Sequence, residues 1–247
     1  RTAHLPTWVL RAELRISVGD DMAPCLEGQE CSPGLARGTT RFLLGSRWSY
    51  RFRYLEPFLG LSYAIEWATS AEDRFQPDVS GARYEDASPP SVAETTLGVS
   101  VIPWESRGRF QRLAIDTRID VAYVSAGLDY TPLFDALGSS ANSFMQTPSF
   151  TGLTHVDGYV QTRFEAALAM QAARFVRFRL GLGLATQSAH LLTDAGRCTQ
   201  TRSSDASVCG GYATNAGHRA VIDAPGQRFR SSSDFAYDLF AMATGQF

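Results

Sequence analysis

The chain of 247 residues contains no lysine; all 23 of its basic residues are arginine. The simplest cause is codon usage in a GC-rich genome, and no function is read from it. Charge of one sign is also missing, because 25 acidic residues leave a net charge of -2. No basic excess marks the chain for nucleic acid. It also lacks any run of about eighteen consecutive apolar residues, the minimum for a membrane-spanning helix, so a helical membrane protein is not expected. No basic-then-apolar leader stands before Arg1, and a secretion signal is expected to have been removed or to lie outside these residues. Internal repeats, low-complexity blocks and a domain boundary are missing as well, so residues 1–247 read as one domain. With 44% hydrophobic and 19% charged residues, the composition is that of a folded protein rather than a disordered one.

Cysteine is scarce and grouped: Cys25 with Cys31, and Cys198 with Cys209, each inside a polar stretch. Three pairings exist on paper. The local one closes two small loops and fits an oxidising compartment such as the periplasm or cell surface; the alternative is four unpaired thiols in a cytosolic protein. Neither pair has C-x-x-C spacing or a histidine at ligand spacing, so zinc is not expected. His155 with Asp157, and Asp20 with Asp21, lack the ordered carboxylate loop that calcium demands. No metal and no cofactor are expected.

What the chain has in quantity is alternation with period two, the mark of a strand with one apolar face and one polar face. Trp8, Leu10, Ala12, Leu14, Ile16 and Val18 alternate with Arg11, Glu13, Arg15 and Ser17. Phe42, Leu44, Trp48, Tyr50, Phe52 and Tyr54 alternate with Arg41, Arg47, Ser49, Arg51 and Arg53. After a break at Leu55-Glu56-Pro57, Leu59 to Trp67 oppose Gly60, Ser62, Ala64 and Glu66. A fourth run sets Thr95, Leu97, Val99 and Val101 against Glu94, Thr96, Gly98 and Ser100. The fifth sets Leu113, Ile115, Ile119, Val121 and Tyr123 against Arg112, Asp116, Arg118 and Asp120. In the sixth, Val156 to Met170 oppose Asp157, Gln161, Arg163 and Glu165; in the seventh, Val176 to Leu184 oppose Arg177, Arg179, Gly181 and Gly183. The last runs Phe235, Tyr237, Leu239, Ala241, Ala243, Gly245 and Phe247, with Asp234 and Asp238 on the other face.

Eight strands follow, joined alternately by short turns near Glu56, Ser106 and Ala173 and by long polar connections over about 19–38, 69–92, 127–152 and 190–232. In an up-and-down antiparallel arrangement all short turns share one end and all long loops the other. A hairpin around Ala220-Val221-Ile222 would raise the number to ten.

A soluble barrel alternates too, with its apolar face inward. Here the runs reach roughly eleven to seventeen residues, far beyond the five or six usual in soluble proteins and enough to cross a bilayer at a tilt. Arg, Asp and Glu share the polar face with glycine, as a narrow lumen requires. The expected pairings are Glu13 with the Arg41 to Arg53 series, Asp116 and Asp120 with Arg118, and Glu165 with Arg177 and Arg179. Aromatics gather at strand ends: Trp8, Tyr54, Trp104 and Phe247 at one rim, Phe42, Trp67, Tyr123, Phe235 and Tyr237 at the other.

The terminal Phe247, with apolar residues at every second position before it, resembles the last strand of bacterial outer-membrane proteins. The whole pattern resembles the eight-stranded barrels of the OmpA/OmpX type. That resemblance implies an all-β transmembrane barrel in the bacterial outer membrane with both termini periplasmic. It also implies outer-membrane lipid around the barrel, and the barrel-assembly machinery as a partner that recognises Phe247.

An eight-stranded barrel is just wide enough for side chains to fill its interior. The inward charges are therefore expected to form a structural network, and the long loops to carry function by presenting a surface to an envelope or surface protein. An anion-selective passage through the Arg-rich lumen is one alternative. Another, again by resemblance to small outer-membrane lipid-modifying barrels, is a deacylase built on Ser188 and His190, although the order here is Ser-x-His and no acidic orienter is evident. The chain is expected not to be an enzyme.

Overall fold

Only an extended backbone keeps every second side chain on one face, so sustained alternation dictates strands. A computed structural model of the chain describes residues 5–22, 34–70, 75, 87–138, 151–199 and 208–245. Its strands in chain order begin with β1 (Thr7–Ile16), β2 (Thr39–Ser49), β3 (Leu55–Ala68) and β4 (Val92–Ser106). There follow β5 (Gln111–Val124), β6 (Gly127–Asp129), β7 (Thr154–Val156) and β8 (Tyr159–Ala173). The last four are β9 (Val176–Gln187), β10 (His190–Leu191), β11 (Arg230–Ser231) and β12 (Asp234–Gly245). The short helices α1 (Phe134–Gly138) and α2 (Ala220–Asp223) lie in the long connections, where Phe75 is helical as well. No helix among the described residues is long and apolar enough to cross a membrane.

The eight long strands form one antiparallel sheet in the order β1-β2-β3-β4-β5-β8-β9-β12, an up-and-down meander. Residues 50–54, 107–110 and 174–175 make the short turns, and the four long connections all leave from the opposite end. One expectation changes and one alternative falls. The first hairpin turns at Arg53 and Tyr54 rather than at Leu55-Glu56-Pro57: Phe52 N–H donates to Leu55 O at 2.7 Å, and Pro57 sits inside β3 opposite Val99. The alternative hairpin at Ala220-Val221-Ile222 is instead the helix α2, and the sheet has the expected eight strands.

A second change concerns closure. A closed barrel was expected, but β1 and β12 are not hydrogen-bonded to each other, and the sheet ends in two free edges. Each edge carries a row of backbone N–H and C=O groups without ladder partners. The sheet is nevertheless strongly curled. Leu5 and Thr7 at the start of β1 line the same cavity as Gln111 and Gln171 of β5 and β8, four and five strands away in sheet order.

Burial in this sheet is inside out. The apolar faces point away from the concave side and are exposed, from Leu10 and Leu14 on β1 to Leu180 (61% exposed) on β9 and Leu239 (81%) on β12. The concave side holds the charged residues, and there Glu165 is only 5% exposed. Bulky inward side chains are accommodated by glycine on the neighbouring strand. A Cβ on Gly98 would meet Phe58 Cζ at 2.2 Å, one on Gly181 would meet Phe240 Cζ at 2.5 Å, and one on Gly183 would meet the Asp238 carboxylate at 2.2 Å.

The apolar core lies outside the sheet, in the long connections. Phe75, Leu128, Phe134 and Leu153 are buried together, with Met22, Ala68, Ala87 and Tyr130 packed against them. Gly152 permits this packing at φ +83, since a Cβ there would lie 2.7 Å from the Phe134 ring. A second cluster, Leu137 with Ile222 and Leu133, joins the connection carrying α1 to the one carrying α2. The described parts of the long connections thus form a folded cap. Cys25, Cys31 and Phe247 lie outside the described residues.

Candidate functional site

The strongest charge constellation is built on β5, β8 and β9, whose alternation turns Arg118, Glu165 and Arg179 to the same concave face. Glu165 accepts from Arg118 Nη2 at 2.8 Å and from Arg179 Nη2 at 2.6 Å, and Arg163 Nη2 stands 3.8 Å away. Arg118 Nε reaches Asp120 at 3.3 Å, and Arg163 reaches Asp238 at 3.5 Å. A carboxylate this deeply buried is stable only when paired and hydrogen-bonded, and three guanidinium groups supply that.

Two cavities flank this bolt. On the long-loop side, about 670 Å³ is lined by residues of seven strands, β2 to β5, β8, β9 and β12, and roofed by Pro90 and Asp129. On the short-turn side, about 440 Å³ lies between Ser100, Arg112, Asp116, Arg177, Arg179 and Thr244. Neither lining includes Phe58, Glu165 or Phe240.

Of the expected pairings, Asp120 with Arg118 and Glu165 with Arg179 are present. Others differ. Glu13 is paired with Arg11 and Arg15 on its own strand and not with the arginines of β2, because these three inward residues follow one another at every second position on an edge strand. Asp116 accepts from Ser100 at 2.6 Å, its ladder partner, rather than from Arg118. Arg177 makes no ion pair among the described residues; it lies six residues before Gly183, the ladder partner of Glu165, toward the short turn. Arg53 is not in the lumen: it stands in the turn with its guanidinium 4.9 Å from the Tyr54 ring. Arg47 lies 4.0 Å over the Phe58 ring, and Glu66 accepts from Thr39 at 2.6 Å. Arg51 reaches Glu105 at 2.8 Å, Arg112 stands 3.9 Å from Glu56, and Glu94 lines the upper cavity.

The sequence reading missed the residues that fasten the cap to the sheet. Arg37, just before β2, forms an ion pair with Asp129 of β6, lies 3.7 Å from Glu66 of β3, and stacks over Tyr130 at 5.4 Å. Tyr130 Oη donates back to the Arg37 carbonyl at 3.0 Å. Burial raises the Asp129 carboxyl above its ordinary range, against the opposing pull of Arg37. These residues lie in connections with no periodicity, which left no signal to find them by.

In the last long connection, Cys198 and Cys209 form a disulfide with Cα atoms 5.4 Å apart, so this local pairing is present. Beside it the buried Asp223 accepts from Arg219 N–H at 2.7 Å and Ala195 N–H at 3.2 Å, and Thr193 donates to Ile222 O at 2.7 Å. Burial pushes the Asp223 carboxyl up to about 6. Arg228 holds Asp194 at 3.4 Å.

Ser188 and His190 do not form a nucleophile and base. Ser188 Oγ accepts from Val160 N–H at 3.0 Å, while His190 Nδ1 stands 3.0 Å from the Ser188 carbonyl oxygen. His190 is also not on an outward face; it is buried in β10 and stacked on Tyr159 with ring centroids 4.0 Å apart. Among the described residues no group of three His, Cys, Asp or Glu is placed to hold a metal ion. The chain matches no protein-family model, no curated protein and no solved structure, so its functional reading rests on its own geometry.

Proposed function

We propose that this chain is an integral protein of the bacterial outer membrane, of the OmpA/OmpX-like kind, whose barrel anchors a folded cap that presents a binding surface to a partner in the envelope or at the cell surface. The observation that carries the reading is the inverted burial: apolar faces turned outward over strands of ten to fifteen residues, with the charges held inside. In water such a surface invites aggregation, whereas against hydrocarbon it is the stable arrangement. In the membrane β1 and β12 pair and close the barrel, since open sheet edges are not tolerated against lipid. Both termini then lie with the short turns on the periplasmic side, and the cap faces outward.

The cap supports the anchor reading over an unstructured loop fringe. Two apolar clusters, a disulfide and the Arg37–Asp129 pair fix its shape, and fixed loops on a rigid scaffold are where recognition sites concentrate. The Glu165 bolt, with a separate cavity on each side of it, speaks against an open anion passage.

The decisive experiment is mild extraction of the full chain from the native outer membrane, followed by identification of co-purifying proteins. We expect a partner that is lost when the connection 190–232 is shortened. Recovery in the soluble fraction would remove the membrane reading. Membrane recovery with no partner, or with one indifferent to the shortening, would remove the presentation reading.

A further inference from the structure

The chamber on the short-turn side of Glu165 carries a charge that its own carboxylates do not balance. Gln171 of β8 is the ladder partner of both Arg112 on β5 and Arg177 on β9, so these two arginines flank it on one rung, two strand spacings or about 10 Å apart. Arg179 lies two residues along β9 from Arg177, on the same face. All three line the cavity of about 440 Å³, and the single carboxylate in that lining, Asp116, is already engaged by Ser100.

The arginines differ in how firmly they are held. Arg179 is committed through Nη2 to Glu165, and its buried Nε has no hydrogen-bond partner. Arg112 reaches its nearest carboxylate, Glu56, only at 3.9 Å. Arg177 pairs with none among the described residues. An adjoining cavity of about 370 Å³ shares Arg112 and Gln171 and extends past the short turns, where Arg51 and Arg107 divide Glu105 between them. The upper chamber is different in kind, since its lining sets the four arginines Arg37, Arg41, Arg118 and Arg163 among five carboxylates.

We infer that this lower chamber binds a phosphate group, free or carried by a small ester, entering from the short-turn end. Guanidinium groups offer paired N–H donors matched to phosphate oxygens, and a doubly charged tetrahedral anion can take donors from Arg112, Arg177 and the exposed edge of the Arg179 guanidinium at once. Gln171 and Thr244 add neutral donors beside them. The low-dielectric wall of the concave sheet focuses the field of these cations on the space between them. Arg179, held by Glu165, stands at the end of the chamber away from the short turns. The inference uses the curl of the sheet and its ladder register; it does not depend on the partner-presentation reading.

The test is calorimetric titration of the full chain in detergent with two probes, inorganic phosphate and a short-chain phosphatidic acid. We expect saturable binding of at least one probe, weakening as salt rises, and the tighter of the two identifies the source. Arg177→Gln and Arg112→Gln should each weaken it at least tenfold, with Arg177→Lys losing less. Arg41→Gln, in the upper chamber, should leave it unchanged. Arg177 supports no ion pair among the described residues, so its replacement should preserve the strand content seen by circular dichroism, and Arg112→Gln provides an independent reading if it does not. No saturable binding of either probe, or equal weakening by Arg41→Gln, would overturn the assignment.

Discussion

Arg118 and Glu165 face each other across the β5–β8 ladder with Nη2 and Oε2 2.8 Å apart, and the same carboxylate takes Arg179 from β9 at 2.6 Å. One buried carboxylate thus ties together three adjacent strands. Glu165→Ala would leave these guanidinium groups without their shared counterion. Removing one partner of a buried pair costs about 3–5 kcal/mol, and a loss of that size is expected in the urea-induced unfolding of the full chain. A loss below about 1 kcal/mol would mean that water already screens the group.

Leu180 is exposed in the middle of β9, on the face opposite the charges. Replacing an exposed leucine by arginine on a water-facing sheet changes stability little, but at the midplane of a bilayer it costs about 2–4 kcal/mol. Leu180→Arg should therefore destabilise the protein in phospholipid vesicles by that amount. An unchanged folding free energy in vesicles counts against the membrane reading.

Gly98 lies under the Phe58 ring, close enough that a methyl group would overlap Phe58 Cζ and also approach Thr117 O at 2.7 Å. Gly98→Ala should cost about 1–3 kcal/mol through overpacking. Combining it with Phe58→Ala should recover part of that loss, because the ring is one of the two obstacles. A double-mutant cycle with no coupling would show that the ring yields freely.

The Cys198–Cys209 bridge closes an eleven-residue separation in the last long connection. Its reduction is expected to loosen that connection by about 3 kcal/mol on the chain-entropy argument, while the sheet stays intact. Limited proteolysis should then cut within 190–232 and leave the strands protected. Cleavage that is equally slow with and without reductant contradicts this.

Asp223 titrates near 6 in the fold, against 3.8 ordinarily, because burial disfavours its charged form. Between those values the folded chain binds the extra proton, so its contribution to stability is complete below about pH 4 and is lost as pH rises through 6. Hydrogen exchange of the amides around Ala195 and Arg219 should accordingly slow as pH falls from 7 toward 5, after correction for intrinsic rates. In Asp223→Asn that dependence should vanish.

Much of the fold was legible because side-chain alternation is a local property. Trp8 to Ile16, Leu113 to Tyr123 and Val176 to Leu184 display their two faces in sequence order, and the structure places strands on all three. The short turns were found to within a few residues. Leu55-Glu56-Pro57 misled because proline suggested a break, whereas β3 accepts Pro57 opposite Val99. The Ala220–Asp223 segment stayed open because three apolar residues before turn chemistry fit a strand and a single helical turn equally well.

Which charges meet was not legible in the same way. Parity alone put Arg118, Arg163, Glu165, Arg177 and Arg179 on one face, but their partners depend on ladder register, which is fixed between strands rather than within them. The sequence by itself determined the all-β meander, its inside-out polarity and the long-loop end. Only the tertiary structure decided that Glu165 takes Arg179 rather than Arg177, that the sheet stands open between β1 and β12, and that Arg37 reaches Asp129, 92 residues away, to fasten the cap. A strand carries its own pattern, whereas a pairing needs two segments brought together by the rest of the chain.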